Sequence, residues 1–273
     1  MPVIQLHYHP RKLGISTSVS VVLPLEATRA QNQPGSFEGW LDKHEEKLPV
    51  LWLLHGGGGC HQDFLFGSMV VQLANQYHMA VVMPDGQNGS WTDMTYGPSW
   101  ETYLVEGLPE YVYNHFPISY KREDNFIAGV SMGGYGAIHT ALRHPEKYAA
   151  ACGMGAGVWL PIKYALGETI DEGLATLDAN LASTFGTDRQ AVLGSRYDCL
   201  QAAKDAVAAG KNLPRMLSCC GTLDFSYNEN VQFRNDIRAL GVSYEWMETE
   251  AAHDDMAWNE FIPRMFAWLK QEG

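Results

Sequence analysis

The chain has 273 residues, of which 46% are hydrophobic and 18% are charged, so it can bury a continuous core. Its formal net charge of −12 at pH 7 disfavours nucleic acids and anionic membrane surfaces as partners. The length fits a single domain covering residues 1–273, although length alone would also allow two domains.

The amino-acid order gives no sign of export or membrane insertion. No basic, apolar leader opens the chain, and no apolar run approaches the roughly 20 residues of a membrane span. The five cysteines include Cys219 and Cys220, which are adjacent within a predicted strand, and this spacing is not that of a disulfide framework. We therefore expect reduced thiols and a cytoplasmic location.

Predicted strands and helices alternate along the chain. The strands are expected at Ile15–Pro24, Val50–Leu54, Ala80–Pro84, Asn125–Val130, Ala149–Met154, Met216–Cys220 and Ser243–Met247. The helices are expected at Phe64–Tyr77, Thr102–His115, Gly134–Leu142 and Trp258–Lys270, and a polar loop at Glu26–Lys47. This alternation predicts a mostly parallel sheet with helices on both faces, and the alternating first strand is typical of an antiparallel edge.

A glycine-rich loop follows the predicted strand Val50–Leu54. Its sequence, from His55 to Gly59, matches the H-G-G-G loop whose backbone N–H groups stabilise an oxyanion. We expect Gly57 to supply one donor, and we regard His55 and Gly56 as candidate substrate contacts. A glycine run could instead cradle a phosphate, but the chain has neither G-K-[ST] nor G-x-G-x-x-G here.

Aromatic side chains gather after the strand Ala80–Pro84. Trp91 and Tyr96 could form walls of a pocket for small apolar esters or aromatic alcohols. The same cluster would equally suit ordinary packing.

Ser131 lies in the pattern Gly129-Val130-Ser131-Met132-Gly133, between a predicted strand and a predicted helix. A G-x-S-x-G turn in this context holds the serine hydroxyl out of the sheet, and the flanking glycines avoid Cβ clashes. The backbone N–H of Met132 is then the expected second oxyanion donor. The alternative is a glycine turn that serves only packing.

A serine nucleophile requires a base, and the base requires an orienting acid. Such triads can follow the chain order serine, acid, histidine. His139 and His144 belong to the predicted helix after Ser131 or to its end, so the only histidine beyond it is His253. The alternative is that His253 is a surface histidine in an acidic loop. Asp224 follows the strand Met216–Cys220 and is the predicted acid. Asp254 and Asp255 compete through their proximity to His253.

The segment Gly155–Leu213 is longer than one crossover helix requires. We expect it to form a cap-like insertion over the serine, ahead of the strand that carries the acid. Trp159, near its beginning, could lie in the acyl or alcohol pocket or could be a core residue.

A metal site is not expected. His7 and His9 share one face of an extended segment without a third ligand, and His55 and His61 lack a recognisable carboxylate partner. A catalytic zinc usually has three protein ligands and a water. We expect no metal and no cofactor.

The whole chain resembles the esterase D family of α/β-hydrolases, and within it the bacterial tributyrin and acetyl esterases. The segments that carry the likeness are Leu13–Val21, Leu53–Gly57, Val82–Gly86, Trp91–Gly97, Glu106–Glu110, Gly129–Ala137, Cys220–Phe225 and Ala252–Asp254. The resemblance implies an α/β-hydrolase fold and serine-dependent hydrolysis of short-chain carboxylic esters, with catalytic roles for Ser131, Asp224 and His253.

The same resemblance leaves related activities open. S-formylglutathione hydrolases, feruloyl esterases and acyltransferases share the fold, and a non-catalytic scaffold is a further alternative. The expected partner is a small-molecule ester, and members of this family are often homo-oligomers.

Overall fold

A computed structural model describes residues 2–24, 47–168 and 175–271. Its strands are β1 Val3–Tyr8, β2 Thr17–Val22, β3 Val50–Leu54, β4 Ala80–Pro84, β5 Asn125–Val130, β6 Ala150–Met154, β7 Arg215–Gly221 and β8 Tyr244–Thr249. They form one eight-stranded sheet in the order β1-β2-β4-β3-β5-β6-β7-β8. The pairs β1–β2 and β2–β4 are antiparallel and all the others are parallel.

Helices connect the parallel strands. They are α1 Asp63–Gly67, α2 Val70–Gln76, α3 Leu108–His115, α4 Met132–Arg143, α5 Leu160–Leu166, α6 Ala175–Phe185, α7 Cys199–Ala208, α8 Tyr227–Ala239 and α9 Asp255–Leu269. A short helix, Trp100–Thr102, and a π-helical turn, Tyr103–Gly107, lead directly into α3. None of the helices within the described ranges is both long and apolar enough to cross a membrane.

Strand β3 shows why the sheet is buried on both faces. All five of its side chains are buried, and successive side chains point to opposite faces. Val50, Trp52 and Leu54 belong to one apolar cluster, which includes side chains of α3, α4 and α7, whereas Leu51 and Leu53 belong to a second cluster with side chains of α2 and α9. Because both faces of the strand are covered, all of its residues are apolar, and such a continuous apolar run is typical of a central parallel strand.

The structure adds a strand that the sequence analysis did not predict. Strand β1 lies at the edge of the sheet, and its side chains alternate between exposed and half-buried. Its apolar residues Ile4, Leu6 and Tyr8 alternate with polar ones and pack against the core, so the alternation was a signal that the sequence analysis did not use. Pairing with β2 supplies the partner that this short edge strand needs.

The helix predicted at Phe64–Tyr77 is two helices, α1 and α2. Between them Ser68 is extended, and its hydroxyl donates to the carbonyl of Phe64 at 2.7 Å while accepting from the N–H of Val70 at 3.2 Å. Serine side chains compete in this way with helical hydrogen bonds. The apolar periodicity continues across the break, which is why the sequence alone indicated one helix.

The segment predicted as a cap contains α5, α6 and α7. The side chains Leu160, Tyr164, Leu181, Phe185 and Tyr197 form a small apolar cluster of their own. Helix α7 instead packs against α4 and the sheet, as a crossover helix does. Coverage of the serine by this segment stays a prediction, and the predicted loop Glu26–Lys47 lies, apart from Lys47, outside the described residues.

Candidate active site

Ser131 lies at the sharp turn between β5 and α4. Its φ of 53° and ψ of −116° fall in a region that L-residues rarely adopt, at a cost of about 1–3 kcal/mol. Two backbone hydrogen bonds hold the turn: the N–H of Ser131 donates to Met154 at 2.8 Å, and the N–H of Gly157 donates to the carbonyl of Ser131 at 3.1 Å. The turn is therefore anchored to the end of β6.

The two glycines that flank the turn are required by its packing. A Cβ atom at Gly129 would lie 2.3 Å from the carbonyl carbon of Gly133, and a Cβ atom at Gly133 would lie 2.1 Å from the carbonyl oxygen of Leu54. Both distances are shorter than any real Cβ contact. The G-x-S-x-G pattern thus reflects the close approach of α4 to the ends of β3 and β5.

The structure brings Ser131, His253 and Asp224 together in one hydrogen-bonded chain. The Oγ of Ser131 lies 2.9 Å from Nε2 of His253, and Nδ1 of His253 lies 2.7 Å from Oδ2 of Asp224. The serine and the histidine are 122 positions apart in the chain, and they meet because β5, β7 and β8 are parallel and end at the same edge of the sheet. This arrangement can pass a proton from a serine hydroxyl to an imidazole.

Asp224 is buried and hydrogen-bonded at both carboxylate oxygens. Its Oδ1 accepts from the N–H of Ser226 at 2.8 Å and from the hydroxyl of Ser226 at 2.7 Å, while Oδ2 faces His253. Burial raises the pKa of Asp224, but its hydrogen bond and charge interaction with His253, together with the Ser226 donors, outweigh burial and lower that pKa below its ordinary value. The group is therefore a carboxylate at neutral pH.

The competing acid Asp254 has a structural task. It is the N-cap of α9, and its Oδ1 accepts from the N–H groups of Met256 at 3.0 Å and Ala257 at 3.1 Å. Nδ1 of His253 instead faces Oδ2 of Asp224, at 2.7 Å. Asp255 lies exposed in the first turn of α9, and neither acid is bonded to His253.

Two backbone N–H groups beside Ser131 are free for an oxyanion. No hydrogen bond within the described residues uses the N–H of Gly57 or that of Met132. Met132 is the first residue of α4, so its N–H has no acceptor within the helix. The loop that carries Gly57 is held in place by Asn88, whose Oδ1 accepts from the N–H of Gly58 at 2.7 Å.

His55 is buried, so its side chain has no surface to offer a substrate. The N–H of Gly86 donates to its Nε2 at 3.0 Å, and its Nδ1 lies 2.7 Å from the carbonyl oxygen of Gly56. This network assigns the proton to Nδ1, because Nε2 must accept. His55 therefore ties the glycine loop to the end of β4, which argues against the predicted substrate contact by its ring.

A cavity of about 220 Å³ opens beside the serine. Its lining comes from the glycine loop, from α1 with the residues that follow it, from the elbow and from α9 with the preceding loop. The residues are Gly56, Gly57, Gly59, Asp63, Phe64, Gly67, Ser68, Val130, Ser131, His253, Asp255, Trp258 and Ile262. The same cavity is thus lined by Ser131, His253, the predicted oxyanion donor Gly57 and its neighbour Gly56.

Comparison with known proteins assigns the family. The sequence profile of the family described as "Putative esterase" matches residues 28–269 of the chain. The chain belongs to the putative esterase family. The match confirms the resemblance that the sequence motifs indicated, and the protein is accordingly a serine hydrolase of this family.

The similarity to individual relatives covers almost the whole chain of this esterase. An acetyl esterase of Caldicellulosiruptor saccharolyticus is 28% identical over 275 residues, covering 99% of each chain. The substrate-bound structure of a fluorophosphonate-binding serine hydrolase F of Staphylococcus aureus is 30% identical, with 99% of each chain covered and a TM-score of 0.85. An S-formylglutathione hydrolase of the same organism is 30% identical, with 98% of each chain covered and a TM-score of 0.83. These matches confirm the α/β-hydrolase fold.

The predicted aromatic contacts lie away from the cavity lining. Trp91 is fully buried and donates its Nε1–H to the carbonyl of His55 at 3.2 Å, so it is a core residue of this esterase. Tyr96 is exposed, and its backbone N–H donates to Ser183. Trp159 is half-buried and lies edge-on to Phe225 with the ring centres 6.1 Å apart.

Phe225 connects Trp159 to the catalytic region. Its ring centre lies 4.6 Å from that of His253, and the ring of Trp258 meets the imidazole edge-on with the ring centres 5.0 Å apart. The imidazole thus contacts two aromatic rings. A substrate contact by Trp159 stays a prediction.

Gly155 is a position close to the proposed catalytic residues that the sequence analysis missed. Its φ is 51°, and a Cβ atom there would lie 2.5 Å from Cη2 of Trp258, 2.9 Å from Oδ2 of Asp224 and 3.1 Å from Cε1 of His253. Its N–H donates to Cys219 at 2.7 Å. The sequence signal was a glycine directly after a buried strand, but its partners are distant in the chain.

The described residues contain no group of three or more histidine, cysteine, aspartate or glutamate side chains that could hold a metal ion. His7 and His9 are engaged separately: Nδ1 of His7 lies 3.1 Å from the hydroxyl of Ser18, and Nδ1 of His9 lies 3.5 Å from that of Ser16.

Proposed function

We propose that this enzyme hydrolyses short-chain acyl esters of the acetyl or butyryl type through an acyl-enzyme on Ser131. The observation that carries the proposal is the hydrogen-bonded chain from Ser131 through His253 to Asp224, beside two free backbone donors. The likeness to an acetyl esterase over 99% of both chains supports the same substrate class. The cavity supports it too, because about 220 Å³ is below the ~300–1,000 Å³ of pockets for drug-sized ligands.

In the proposed mechanism His253 is the general base. Its Nε2 accepts the hydroxyl proton as Oγ of Ser131 attacks the ester carbonyl carbon, and Asp224 orients the imidazole and stabilises its cation. The N–H groups of Gly57 and Met132 donate to the oxyanion of the tetrahedral intermediate. Collapse of this intermediate breaks the bond to the alcohol oxygen, which takes the proton from His253.

Deacylation repeats these steps with water. Nε2 of His253 accepts a proton from the water molecule as its oxygen attacks the acyl carbon of the ester on Ser131. The second tetrahedral intermediate releases the carboxylic acid and returns the proton to Oγ of Ser131. No cofactor enters this proposed sequence.

The test is a series of p-nitrophenyl esters from acetyl to octanoyl, assayed with the wild-type enzyme and with Ser131→Ala. We expect turnover by the wild type that is strongest for the shortest acyl groups. The Ser131→Ala variant should lose several orders of magnitude in kcat/KM while remaining folded. Retained activity in that variant would overturn the assignment of the nucleophile.

A second candidate is hydrolysis of S-formylglutathione. It is favoured by a relative named S-formylglutathione hydrolase in Paracoccus denitrificans, which is 33% identical over 146 residues, covering 44% of this chain and 51% of that protein. The Staphylococcus aureus structure of the same name supports it over the whole chain. A folded wild-type protein that cleaves S-formylglutathione but none of the oxygen esters would favour this candidate.

The proposed location is the cytoplasm. The support is that all five cysteines are free thiols, including Cys152 and Cys219, whose sulfur atoms are 4.0 Å apart in the core. Thiols that remain unpaired are typical of reducing compartments. Cell fractionation followed by immunodetection tests the proposal, and recovery with exported proteins would contradict it.

A further inference from the structure

The cavity beside Ser131 carries two carboxylates and, among the described residues that line it, no lysine or arginine. Asp63 is the first residue of α1 and Asp255 is the first residue of α9. Both residues are exposed, so they form part of the rim where the cavity opens to solvent. Substrate groups that bind in the cavity therefore lie near two negative charges.

Neither charge is neutralised by its neighbours. Asp63 accepts from the N–H of Cys60 at 3.1 Å and from its thiol at 3.4 Å, which are both uncharged donors. Neither Asp63 nor Asp255 forms an ion pair with a described residue. Burial lowers the pKa of the nearby His61, so its imidazole supplies no compensating positive charge at pH 7.

Apart from the N–H groups proposed for the oxyanion of the ester itself, the remaining surface of the cavity offers an anion few favourable contacts. The side chains of Phe64, Val130 and Ile262 are apolar, and burying a charge against them without a partner is unfavourable. The N-terminus of α9 would attract an anion, but Asp254 already accepts from its first free N–H groups. The net charge of −12 over the chain also makes the approach of an anionic substrate less favourable.

We propose that Asp63 and Asp255 make this active site select against anionic esters, so that its substrates place an uncharged group in the cavity. This inference rests on the proposed function, because it concerns the ester that Ser131 attacks. It favours small neutral acyl esters over half-esters of dicarboxylic acids. It also disfavours S-formylglutathione, whose glutathione part carries two carboxylates and one ammonium group.

The selection should be moderate and sensitive to salt. Both carboxylates are exposed, and charges in contact with water are weakened by its dielectric constant and by counterions. We expect the two together to lower kcat/KM for an anionic ester by about tenfold at low ionic strength. The effect should shrink towards twofold in about 0.5 M NaCl, where the screening length is only a few ångströms.

Two pairs of nearly isosteric substrates test the proposal on either side of the ester bond. p-Nitrophenyl butyrate and p-nitrophenyl hydrogen succinate differ by a carboxylate on the acyl group. Methyl 4-acetoxybenzoate and 4-acetoxybenzoate differ by a carboxylate on the leaving group. The quantity measured is the ratio of kcat/KM for the neutral and the anionic member of each pair, with Ser131→Ala measuring spontaneous hydrolysis.

The variants are Asp255→Asn, Asp255→Lys and Asp63→Asn, with Asp205→Asn as the matched control. Asp205 is exposed on α7 and accepts from Gln201, away from the cavity lining. Because each measurement is a ratio, a general loss of activity or a small change in folding cancels. We expect the ratio to fall severalfold in Asp255→Asn and in Asp63→Asn, and further in Asp255→Lys, for at least one pair. The Asp205→Asn variant should keep the wild-type ratios.

The outcomes separate the two proposals. Butyrate turnover that depends on Ser131, with ratios that are unchanged by all three cavity variants and by salt, would overturn the charge selection and leave the esterase function standing. Absence of turnover of every neutral ester by folded wild-type protein would overturn both. A ratio that falls with added salt and with loss of either carboxylate would establish the selection.

Discussion

Gly155 sets the geometry of the proposed catalytic residues although it has no side chain. It follows β6, takes a positive φ and leaves the space in which Asp224, His253 and Trp258 meet. The backbone of Gly155 is held after β6 by the hydrogen bond from its N–H to the carbonyl of Cys219, at 2.7 Å. A methyl group at position 155 would therefore overlap Asp224 and His253 and displace them.

The Gly155→Ala substitution should lower kcat by roughly a hundredfold or more, because a 1 Å displacement of catalytic groups costs about that much. KM should change less, since the cavity lining does not include Gly155. The measurement is steady-state kinetics with p-nitrophenyl acetate, alongside circular dichroism to verify folding.

Gly157→Ala is the matched control for this prediction. A Cβ atom there would lie 3.7 Å from the carbonyl oxygen of Ser131, which is an ordinary contact, and its N–H would still donate to that oxygen. We expect a change of a few-fold at most. Equal losses in Gly155→Ala and Gly157→Ala would mean that the turn after β6 tolerates no side chain for reasons unrelated to His253 and Asp224.

At the scale of elements, the loop after β4 is locked against the elbow helix α4 by Trp91. A Cβ atom at Gly86 would lie 2.6 Å from the ring of Trp91. A Cβ atom at Gly136 would lie 2.5 Å from the Cβ of Trp91. Gln87, Ser90 and Trp91 all have positive φ values, so the loop is strained as well as tightly packed. The aromatic residue that the sequence offered as a substrate wall is instead the contact that joins two elements behind Ser131.

Gly136→Ala tests this contact through the sign of its effect. Alanine at an unhindered helix position would stabilise the protein by roughly 0.5–1 kcal/mol. Because the alanine at position 136 would overlap Trp91, we expect the substitution to lower the free energy of unfolding by about 1–3 kcal/mol instead. Urea unfolding followed by tryptophan fluorescence measures the difference, and a more stable variant would contradict the packing described here.

At the scale of the whole molecule, the parallel strands gather the proposed catalytic groups at one edge of the sheet. Ser131, Asp224 and His253 follow β5, β7 and β8, and the glycine loop follows β3. Helices α1 and α9 complete the cavity from opposite ends of the chain. The site is thus a property of the sheet order, which makes its integrity depend on the stability of the entire domain.

A buried charge cluster contributes to that stability. Glu101 is buried, and its Oε1 accepts from Nε of Arg143 at 2.6 Å and lies 2.9 Å from Nε2 of His144. Burial raises the pKa of Glu101, but His144 and Arg143 outweigh it and lower the pKa to about 2. The cluster joins the short helix Trp100–Thr102, which carries Glu101, to the C-terminal end of α4, where Arg143 and His144 lie.

The lowered pKa of Glu101 predicts a loss of stability in acid. The carboxylate contributes fully above the pKa of about 4.5 that it has in the unfolded chain, and the contribution is lost as pH falls towards about 2. Glu101 alone should account for about 3 kcal/mol of this loss. Urea unfolding between pH 7 and pH 3 should show a shallower pH dependence in Glu101→Gln than in the wild type, and identical slopes would contradict the prediction.

Much of the fold and part of the site could be predicted from the amino-acid order. Central strands such as Val50–Leu54 are continuous apolar runs because both faces of the sheet are covered, and Ala80–Pro84 and Asn125–Val130 have the bounds that were predicted. The elbow at Ser131 could be predicted because glycine is the only residue that fits beside it. His253 followed from chain order alone.

Other features depend on contacts between distant residues, which no local pattern records. The burial of the His55 ring and the packing of Trp91 are visible only once the strands are assembled. The same is true of Gly155, whose constraint comes from side chains about 70 to 100 positions later. Sequence by itself determined which residue types could perform the chemistry; the tertiary structure decided which of them meet, because the order of the parallel strands brings Ser131, Asp224 and His253 within hydrogen-bonding distance.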